Sequence, residues 1–167
     1  MAELLPTERL QPSLLDRLTD DEPEKQQESR EQRVLSMRRL RQSVLRDMVW
    51  LLNAVALDSV QDLAAAPEAA HSTINFGILD LSGHHLSGSD ALGIERRIRQ
   101  AIMDFEPRIL KETLKVKVTA ADEKYTHNAM TFDIEGDLWM QPLPVRLYLK
   151  TEIDLETGNV DVTDQSA

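Results

Sequence analysis

The sequence predicts an α+β fold in which N-terminal helices pack on a small, mainly antiparallel C-terminal sheet. Two observations support this prediction. Up to about residue 109, apolar residues recur every three or four positions, as they do on one face of a helix. From residue 114 onward, apolar and polar residues alternate, as they do in strands with one buried face. Helices followed by a meander of strands are typical of the α+β class.

The length and charge of the chain limit its organisation and its partners. At 167 residues it is long enough for one domain with a modest core. We expect a docking segment and acidic linker over residues 1–28, a single α+β domain over 29–163 and a tail over 164–167. The net charge of −10 argues against general binding to nucleic acid. Without a signal-peptide pattern or a membrane-spanning apolar run, we expect a cytoplasmic protein that does not insert into membranes.

The first predicted helix begins at Ser13 and carries a short leucine stripe. Its residues, which we expect to bind a protein, are Leu14, Leu15, Asp16, Arg17 and Leu18. A helix this short is marginal alone in water, so its leucines need a surface that covers them. Two surfaces remain open: the chain's own domain, or a groove on a partner that the linker allows the segment to reach.

The longest helical pattern runs from about Ser29 to Asn53. Its apolar residues are Val34, Met37, Leu40, Val44, Met48, Leu51 and Leu52. The other faces carry arginines that form either a solvated surface or a basic docking strip, namely Arg38, Arg39, Arg41 and Arg46. A short helix over Val60–Ala66, capped by Asp58 or Ser59 and closed by Pro67, should follow.

Between Pro67 and Asp90 the sequence predicts a long connection made of successive turns, because glycines alternate with Ser and Asp. Five apolar residues should hold this connection on the core, namely Ile74, Phe76, Ile78, Leu79 and Leu81. His84 and His85 are adjacent and have neither a recognised ligand spacing nor a third strong ligand nearby. The chain also has no cysteine. We therefore expect no metal and no cofactor.

A third helix, from about Asp90, should end at a corner formed by Glu106, Pro107 and Arg108. Its buried face consists of Ile94, Ile98, Ala101, Ile102 and Phe105. Pro107 cannot continue the helix, and a carboxylate at the carbonyl end is unfavourable unless a cation compensates it. Glu106 and Arg108 either form an internal clasp or both point outward to bind a partner. All three corner residues are candidate protein-binding residues.

Alternating residues after the corner predict three strands and a short return strand. The apolar positions span Leu114–Val118, Met130–Ile134, Val145–Leu155 and Val160–Val162. A polar loop over 120–128, a proline-containing turn over 141–144 and a turn over 156–159 should join them. A sheet this small has exposed edges, which are either guarded by charge or used for strand addition to another chain.

Five segments together point to a known family. They are PSLLDRLTD at 12–20, LRQSVLRDMVWLLN at 40–53, STINFGILDLSG at 72–83, IERRIRQAIMDFEPRI at 94–109 and DLETG at 154–158. With these segments the chain resembles the baseplate wedge family called TssE in type VI secretion systems, which is homologous to a wedge protein of contractile phage tails. The N-terminal motif and the Glu-Pro-Arg corner are the most specific parts of the resemblance.

The resemblance implies a structural role in a cytoplasmic baseplate that is docked on the inner-membrane complex. It implies the baseplate partners TssF, TssG and TssK and the sheath proteins TssB and TssC, whose polymerisation this subunit would start. Within that assembly, Glu106, Pro107 and Arg108 would contact the helical bundle of the wedge. The strands of Met130–Leu155 would receive the sheath.

Two other functions were weighed from the residues. A cytoplasmic adaptor for a single regulatory protein would fit the same fold. A cell-wall glycosidase would need two carboxylates about 5–9.5 Å apart across a cleft. Pairs such as Asp104 with Glu106 arise by chance among 29 acidic residues. Sugar clefts usually offer aromatic platforms, and we expect most of the few aromatic residues of this chain to lie in the core. We therefore expect a protein that is not an enzyme.

Overall fold

The computed structural model describes residues 13–19, 23–24, 37–82, 91–120, 129–140 and 143–165. Its α-helices are α1 (Leu14–Leu18), α2 (Met37–Leu52) and α3 (Ala91–Phe105). Its strands are β1 (Lys115–Ala120), β2 (Ala129–Leu138), β3 (Val145–Asp154) and β4 (Val160–Asp164). Short 3₁₀ helices cover Leu57–Ser59, Pro67–His71 and Thr73–Asn75.

The four strands form one antiparallel sheet in the order β1-β2-β3-β4. The register places Val118 opposite Phe132, Phe132 opposite Thr151, and Thr151 opposite Val162. The turn between β3 and β4 includes Gly158 at φ +76°, a left-handed conformation that glycine adopts without strain. Helices followed by an antiparallel meander confirm the predicted α+β fold.

The core lies between one face of the sheet and helices α2 and α3. Helix α3 packs on β1 and α2 packs on β4, and the two helices also touch each other. Alternate residues of the central strands point into this layer, as the period of two predicted. The fully buried side chains include Phe132, Ile134, Leu147 and Leu149 from the sheet and Val44, Met48, Ile98 and Ile102 from the helices.

Most of the predicted apolar helix faces are confirmed. In α2 the buried residues include Leu40, Val44, Met48, Leu51 and Leu52. Met37 instead lies largely exposed at the first described turn, and residues 29–36, with Val34, lie outside the described residues. In α3 all predicted residues but Phe105 are buried; Phe105 is half-buried and packs edge-on against Phe76, with ring centroids 5.3 Å apart.

The predicted helix over Val60–Ala66 is wrong. The 3₁₀ helix Leu57–Ser59 comes just before these residues, which themselves form turns, and the carboxylate of Asp62 accepts a hydrogen bond from the backbone N–H of Ala64. Such a local side-chain bond competes with helical hydrogen bonds. Pro67 does not close a helix but begins the next 3₁₀ helix, where its missing N–H costs nothing.

The connection after Pro67 is held on the core partly by a polar residue that the sequence did not single out. Asn75 is buried, accepts a hydrogen bond from the backbone of Asp58 (2.9 Å) and donates one to the carbonyl of Ala70 (2.9 Å). Because Asn75 takes the inward position of this turn, its neighbour Ile74 is 70% exposed, which contradicts the prediction for Ile74. Ile78 and Leu81 are buried as predicted.

Gly77 marks the closest backbone approach in this connection. Its φ is +134°, and a Cβ there would lie 2.4 Å from the carbonyl oxygen of Ala54. That approach allows Ile78 to form an isolated bridge with Val55. The predicted loop at 121–128 and the histidines His84 and His85 lie outside the described residues.

The structure also shows where the strands lie that the resemblance implies as the sheath receiver. Met130–Leu155 forms interior strands, because β1 covers one side of β2 and β4 covers one side of β3. These strands are therefore not the open edges of the sheet. Of the aromatic residues, Trp50 and Trp139 are each about half exposed at the surface.

Candidate functional site

The corner after α3 is fixed to the sheet by its backbone. The N–H of Glu106 still bonds to the carbonyl of Ile102 (2.8 Å), and the exposed Pro107 then ends the helix. The chain next passes β2, where Ile109 bridges Leu138 and the N–H of Trp139 donates to the carbonyl of Arg108 (2.7 Å). The corner is therefore held at both ends.

Glu106 and Arg108 form an internal clasp. The Nε of Arg108 donates to one carboxylate oxygen of Glu106 (2.6 Å), and its Nη2 donates to the other oxygen in a short contact. The backbone N–H of Arg108 adds a third bond (3.2 Å). Glu106 is only 2% exposed, so this bidentate pairing compensates a buried carboxylate. Whether the corner also binds a protein stays a prediction.

Arg108 also reaches from the corner to helix α2. Its Nη1 donates to the hydroxyl of Ser43 (2.8 Å), and its Nη2 donates to the carboxylate of Asp47 (2.6 Å). Burial alone would lower the pKa of Arg108, but Glu106 and Asp47 outweigh burial and raise that pKa. The guanidinium thus remains charged and bridges two carboxylates.

Helix α1 is attached to the same part of α2 by the carboxylate of Asp16. Ser13 caps the helix, accepting from the N–H of Asp16 (3.3 Å) and donating to its carboxylate (2.7 Å). That carboxylate also accepts from the hydroxyl of Ser43 (2.8 Å) and from Nη1 of Arg46 (2.5 Å). Burial alone would raise the pKa of Asp16, but these hydrogen bonds outweigh it and lower the pKa to about 2.

Arg46 closes the arrangement. It donates to Asp47 through Nε (2.9 Å) and Nη2 (2.8 Å), and its guanidinium lies 5.1 Å from the ring centroid of Trp50, a cation–π contact. The bonds to Asp16 and Asp47 raise the pKa of Arg46. The result is a closed loop of side chains, here called the polar ring, formed by Asp16, Ser43, Arg108, Asp47 and Arg46.

The leucines of α1 point away from this ring. Leu14, Leu15 and Leu18 are 71%, 44% and 75% exposed. Of the two covering surfaces left open by the sequence, the chain's own domain leaves these leucines exposed in the structure, although the helix itself rests on that domain. The reason is that Asp16 takes the inward position and holds it with charge-assisted bonds. The side chain of Arg17 lies outside the described residues.

The structure thus brings together two predicted sites that are distant in sequence, the α1 segment and the corner. It does so through Ser43 and Asp47, which sequence reasoning missed, and through Arg46, which had been assigned only to a generic basic face. A signal was present, since Ser43, Arg46 and Asp47 lie three and four positions apart and so share one face of α2. That face looked like ordinary solvated surface.

The carboxylate pair considered for a glycosidase is divided between different partners. Asp104 is paired with His71 (2.8 Å) and accepts from Gln100 (3.0 Å), whereas Glu106 is held by Arg108. The bond to Asp104 raises the pKa of His71.

In the part of the chain that the structure describes, no helix is both long enough and apolar enough to span a membrane.

The comparisons with known proteins agree with the resemblance seen in the sequence. No curated protein matches the chain. The family model described as "Baseplate wedge protein gp25" matches residues 38–143, which include nearly all of α2, α3, the corner, β1 and β2. Helix α1 and strands β3 and β4 lie outside the matched segment. Because the match covers more than half of the chain, the protein belongs to the baseplate wedge protein family, which is the family of the type VI secretion subunit TssE.

Proposed function

We propose that this protein is a structural component of a type VI secretion baseplate. In this proposal it docks on the wedge subunits TssF, TssG and TssK and starts polymerisation of the TssB–TssC sheath. It acts in the cytoplasm, where the baseplate is docked on the inner-membrane complex, and it catalyses no reaction. Membership of a phage-like baseplate family supports the structural role.

The observation that carries the docking proposal is the orientation of α1. An amphipathic helix usually turns its apolar stripe to its own core and its polar face to water. Helix α1 does the reverse, since Asp16 faces the domain while Leu14 and Leu18 face solvent. Three exposed leucines on one short, polar-anchored helix are suited to the apolar groove of a partner.

The corner supplies a rigid polar neighbour to this apolar surface. The clasp fixes the guanidinium of Arg108, whose side chain remains 23% exposed, while Pro107 and Trp139 beside it are exposed. A fixed guanidinium loses little entropy when it pairs with a carboxylate or a carbonyl. In this proposal Arg108 and Pro107 contact the wedge directly, and Glu106 acts by holding Arg108 in place.

The docking proposal is tested by a pull-down from cells that express the wedge subunits, with circular dichroism on every variant. The variant Leu14→Ser/Leu18→Ser should stay folded and lose the wedge subunits. Leu92→Ser changes a leucine of α3 that is also exposed, at 60%, and should bind like the unaltered protein. Normal recovery of TssF and TssG by the double variant would contradict docking through α1.

Among the described strands, β4 forms one edge of the sheet, and this edge is the better supported strand acceptor for sheath initiation. The edge of β1 is guarded by α3, because Glu95 accepts from the N–H of Val118 (2.8 Å) and Arg99 donates to the carbonyl of Leu114 (3.2 Å). On β4, Asn53 bonds both backbone groups of Val160 (2.9 Å each). Side chains thus satisfy outward backbone groups on both edges, which blunts unwanted pairing.

Beyond Val160, the next residue of β4 whose backbone N–H and C=O groups point away from β3 is Val162. The carbonyl of Asn159 accepts from the N–H of Asp154, and the N–H of Gln165 donates to the carbonyl of Tyr148. The backbone groups of odd-numbered residues therefore point towards β3, whereas those of Val160 and Val162 point away from it. A strand added from the sheath would bond to the backbone of Val162. The Asn53 cap at one end would set the register of the added strand.

Proline substitution tests this edge. Val162→Pro removes an N–H that the sheet itself does not use and places a ring where a new strand would approach. The variant should join the wedge but fail to start sheath growth, which fluorescent sheath subunits would show in cells. Val116→Pro makes the same change at an outward-facing position of β1 and should leave sheath growth intact. Normal sheath growth with Val162→Pro would refute strand addition at β4.

A further inference from the structure

The polar ring is a closed circuit of directed hydrogen bonds. An ionised carboxylate can only accept and a guanidinium can only donate. Ser43 has one hydroxyl proton, which it gives to Asp16 (2.8 Å), so it must accept from Arg108 (2.8 Å). On the other side, Arg46 donates to Asp16 and Asp47, and Asp47 accepts from Arg108 (2.6 Å). Asp16 and Arg108 are thus joined twice without touching each other.

Helix α1 contacts this ring through Asp16, which bonds to Ser43 and Arg46. With 5 residues, it is too short to persist alone. Its leucines are largely exposed, so apolar burial contributes little to its position. Among the described residues, its bonds to the rest of the domain are those that Asp16 makes to Ser43 and Arg46. Release of α1 would therefore remove one hydrogen-bond partner from Ser43 and one from Arg46.

Release of α1 changes the surroundings of Arg108. Ser43 is buried, so without Asp16 its hydroxyl must find another acceptor or leave its place as acceptor for Arg108. Arg46 would turn to Asp47 alone, and Asp47 is the carboxylate that Arg108 shares with it. Either change, at Ser43 or at Asp47, would loosen the guanidinium of Arg108.

We propose that α1 and the Glu106–Arg108 corner are energetically coupled through the polar ring. Attachment of α1 to the ring fixes the side chain of Arg108, and release of α1 from the ring loosens it. Such coupling is reciprocal, because a contact that orders the corner must favour docked α1 by the same factor. A partner that binds either α1 or the corner would then favour the ordered position of the other. The coupling is a property of the free protein and does not depend on which partner binds.

Nuclear magnetic resonance of the full chain tests the coupling without any partner. Exchange of the Arg108 Nε–H with water reports on the corner, and exchange of the Thr19 N–H, which bonds to Leu15, reports on α1. Asp16→Ala should speed exchange of the Arg108 Nε–H by roughly five-fold or more, the lower end of typical coupling between sites. Ser43→Ala should speed exchange at both probes.

Two controls separate coupling from general loosening. Asp104→Asn removes a carboxylate close to the corner in sequence that belongs to the His71 pair, and it should leave both probes unchanged. The backbone N–H of Ile98, in the middle of α3, should exchange at the same slow rate in every variant. An Arg108 rate that is unaltered by Asp16→Ala, or altered equally by Asp104→Asn, would overturn the coupling. Because no partner is present, that result would leave the docking proposal standing.

Discussion

Helices α1 and α3 both carry an apolar stripe, and they turn it in opposite directions. In α3, Ile98 and Ile102 are fully buried against the sheet. In α1, Leu14 and Leu18 face solvent, while Asp16 faces the domain and binds Ser43 and Arg46. Burial of one isoleucine contributes about 1.5–3 kcal/mol, so α3 is stabilised by the core. Helix α1 depends on polar bonds instead, and its apolar side is left for another molecule.

The corner that ends α3 should show the largest effect on stability. Arg108→Ala leaves the buried carboxylate of Glu106 without its cation and should lower the free energy of unfolding by about 3–5 kcal/mol. Urea denaturation followed by circular dichroism would measure the change. The matched control is Arg146→Ala, because Arg146 is a mostly exposed arginine paired with Glu135 and its loss should cost under ~1 kcal/mol. Equal losses in the free energy of unfolding for the two variants would show that the clasp adds no more stability than an exposed ion pair.

The buried stripe of α3 should come next. Ile98→Ala removes a fully buried side chain and leaves a cavity, so the free energy of unfolding should fall by about 2–5 kcal/mol. The same denaturation experiment measures it. A loss under ~0.5 kcal/mol would mean that α3 is held mainly by something other than its apolar face.

The attachment of α1 should depend on pH in a defined direction. Burial alone would raise the pKa of Asp16, but the bonds from Arg46, Ser13 and Ser43 lower it from 3.8 to about 2 when α1 lies on the polar ring. This position of α1 is therefore favoured above pH 3.8, and the advantage is lost as the pH falls towards 2. The backbone resonance of Thr19 should follow that loss. Asp16→Asn serves as the control, since its resonance should not follow this acid transition. A docked α1 that persists unchanged below pH 2 would contradict the anchoring role of Asp16.

The exposed stripe of α1 should show the smallest effect on stability. Leu18→Ala removes a side chain that is 75% exposed, so the free energy of unfolding should change by less than ~0.5 kcal/mol. A loss as large as that of Ile98→Ala would mean that α1 buries its leucines in solution. This small effect contrasts with the loss of wedge binding expected when the leucines become polar.

Much of the fold could be predicted from the sequence because hydrophobic period follows from helix and strand geometry. The four strands and the stripe of α3 follow from this period, and the corner follows from Pro107, which cannot continue a helix. The failures occurred where a tertiary contact decided the outcome. Ile74 fits an apolar pattern, but Asn75 takes the inward position by bonding Asp58 and Ala70.

The candidate site was predicted only in part for the same reason. Periodicity located the leucines of α1 but not the direction in which they face, which depends on what Asp16 meets. The clasp between Glu106 and Arg108 was one of two open alternatives, because a proline turn can point neighbouring side chains either way. Ser43 and Asp47 were missed because their roles exist only when α1, α2 and the corner are brought together.

The most direct test of the central claim is hydrogen exchange of the protein free and bound to the purified TssF–TssG wedge complex. The five-residue α1 should exchange faster than α3 in the free protein, since it is short and exposed. Docking through its leucines predicts strong protection of residues 14–19 on binding, together with the corner at Glu106–Arg108. Binding that leaves residues 14–19 as unprotected as in the free protein would contradict the claim that α1 presents its apolar side to the wedge.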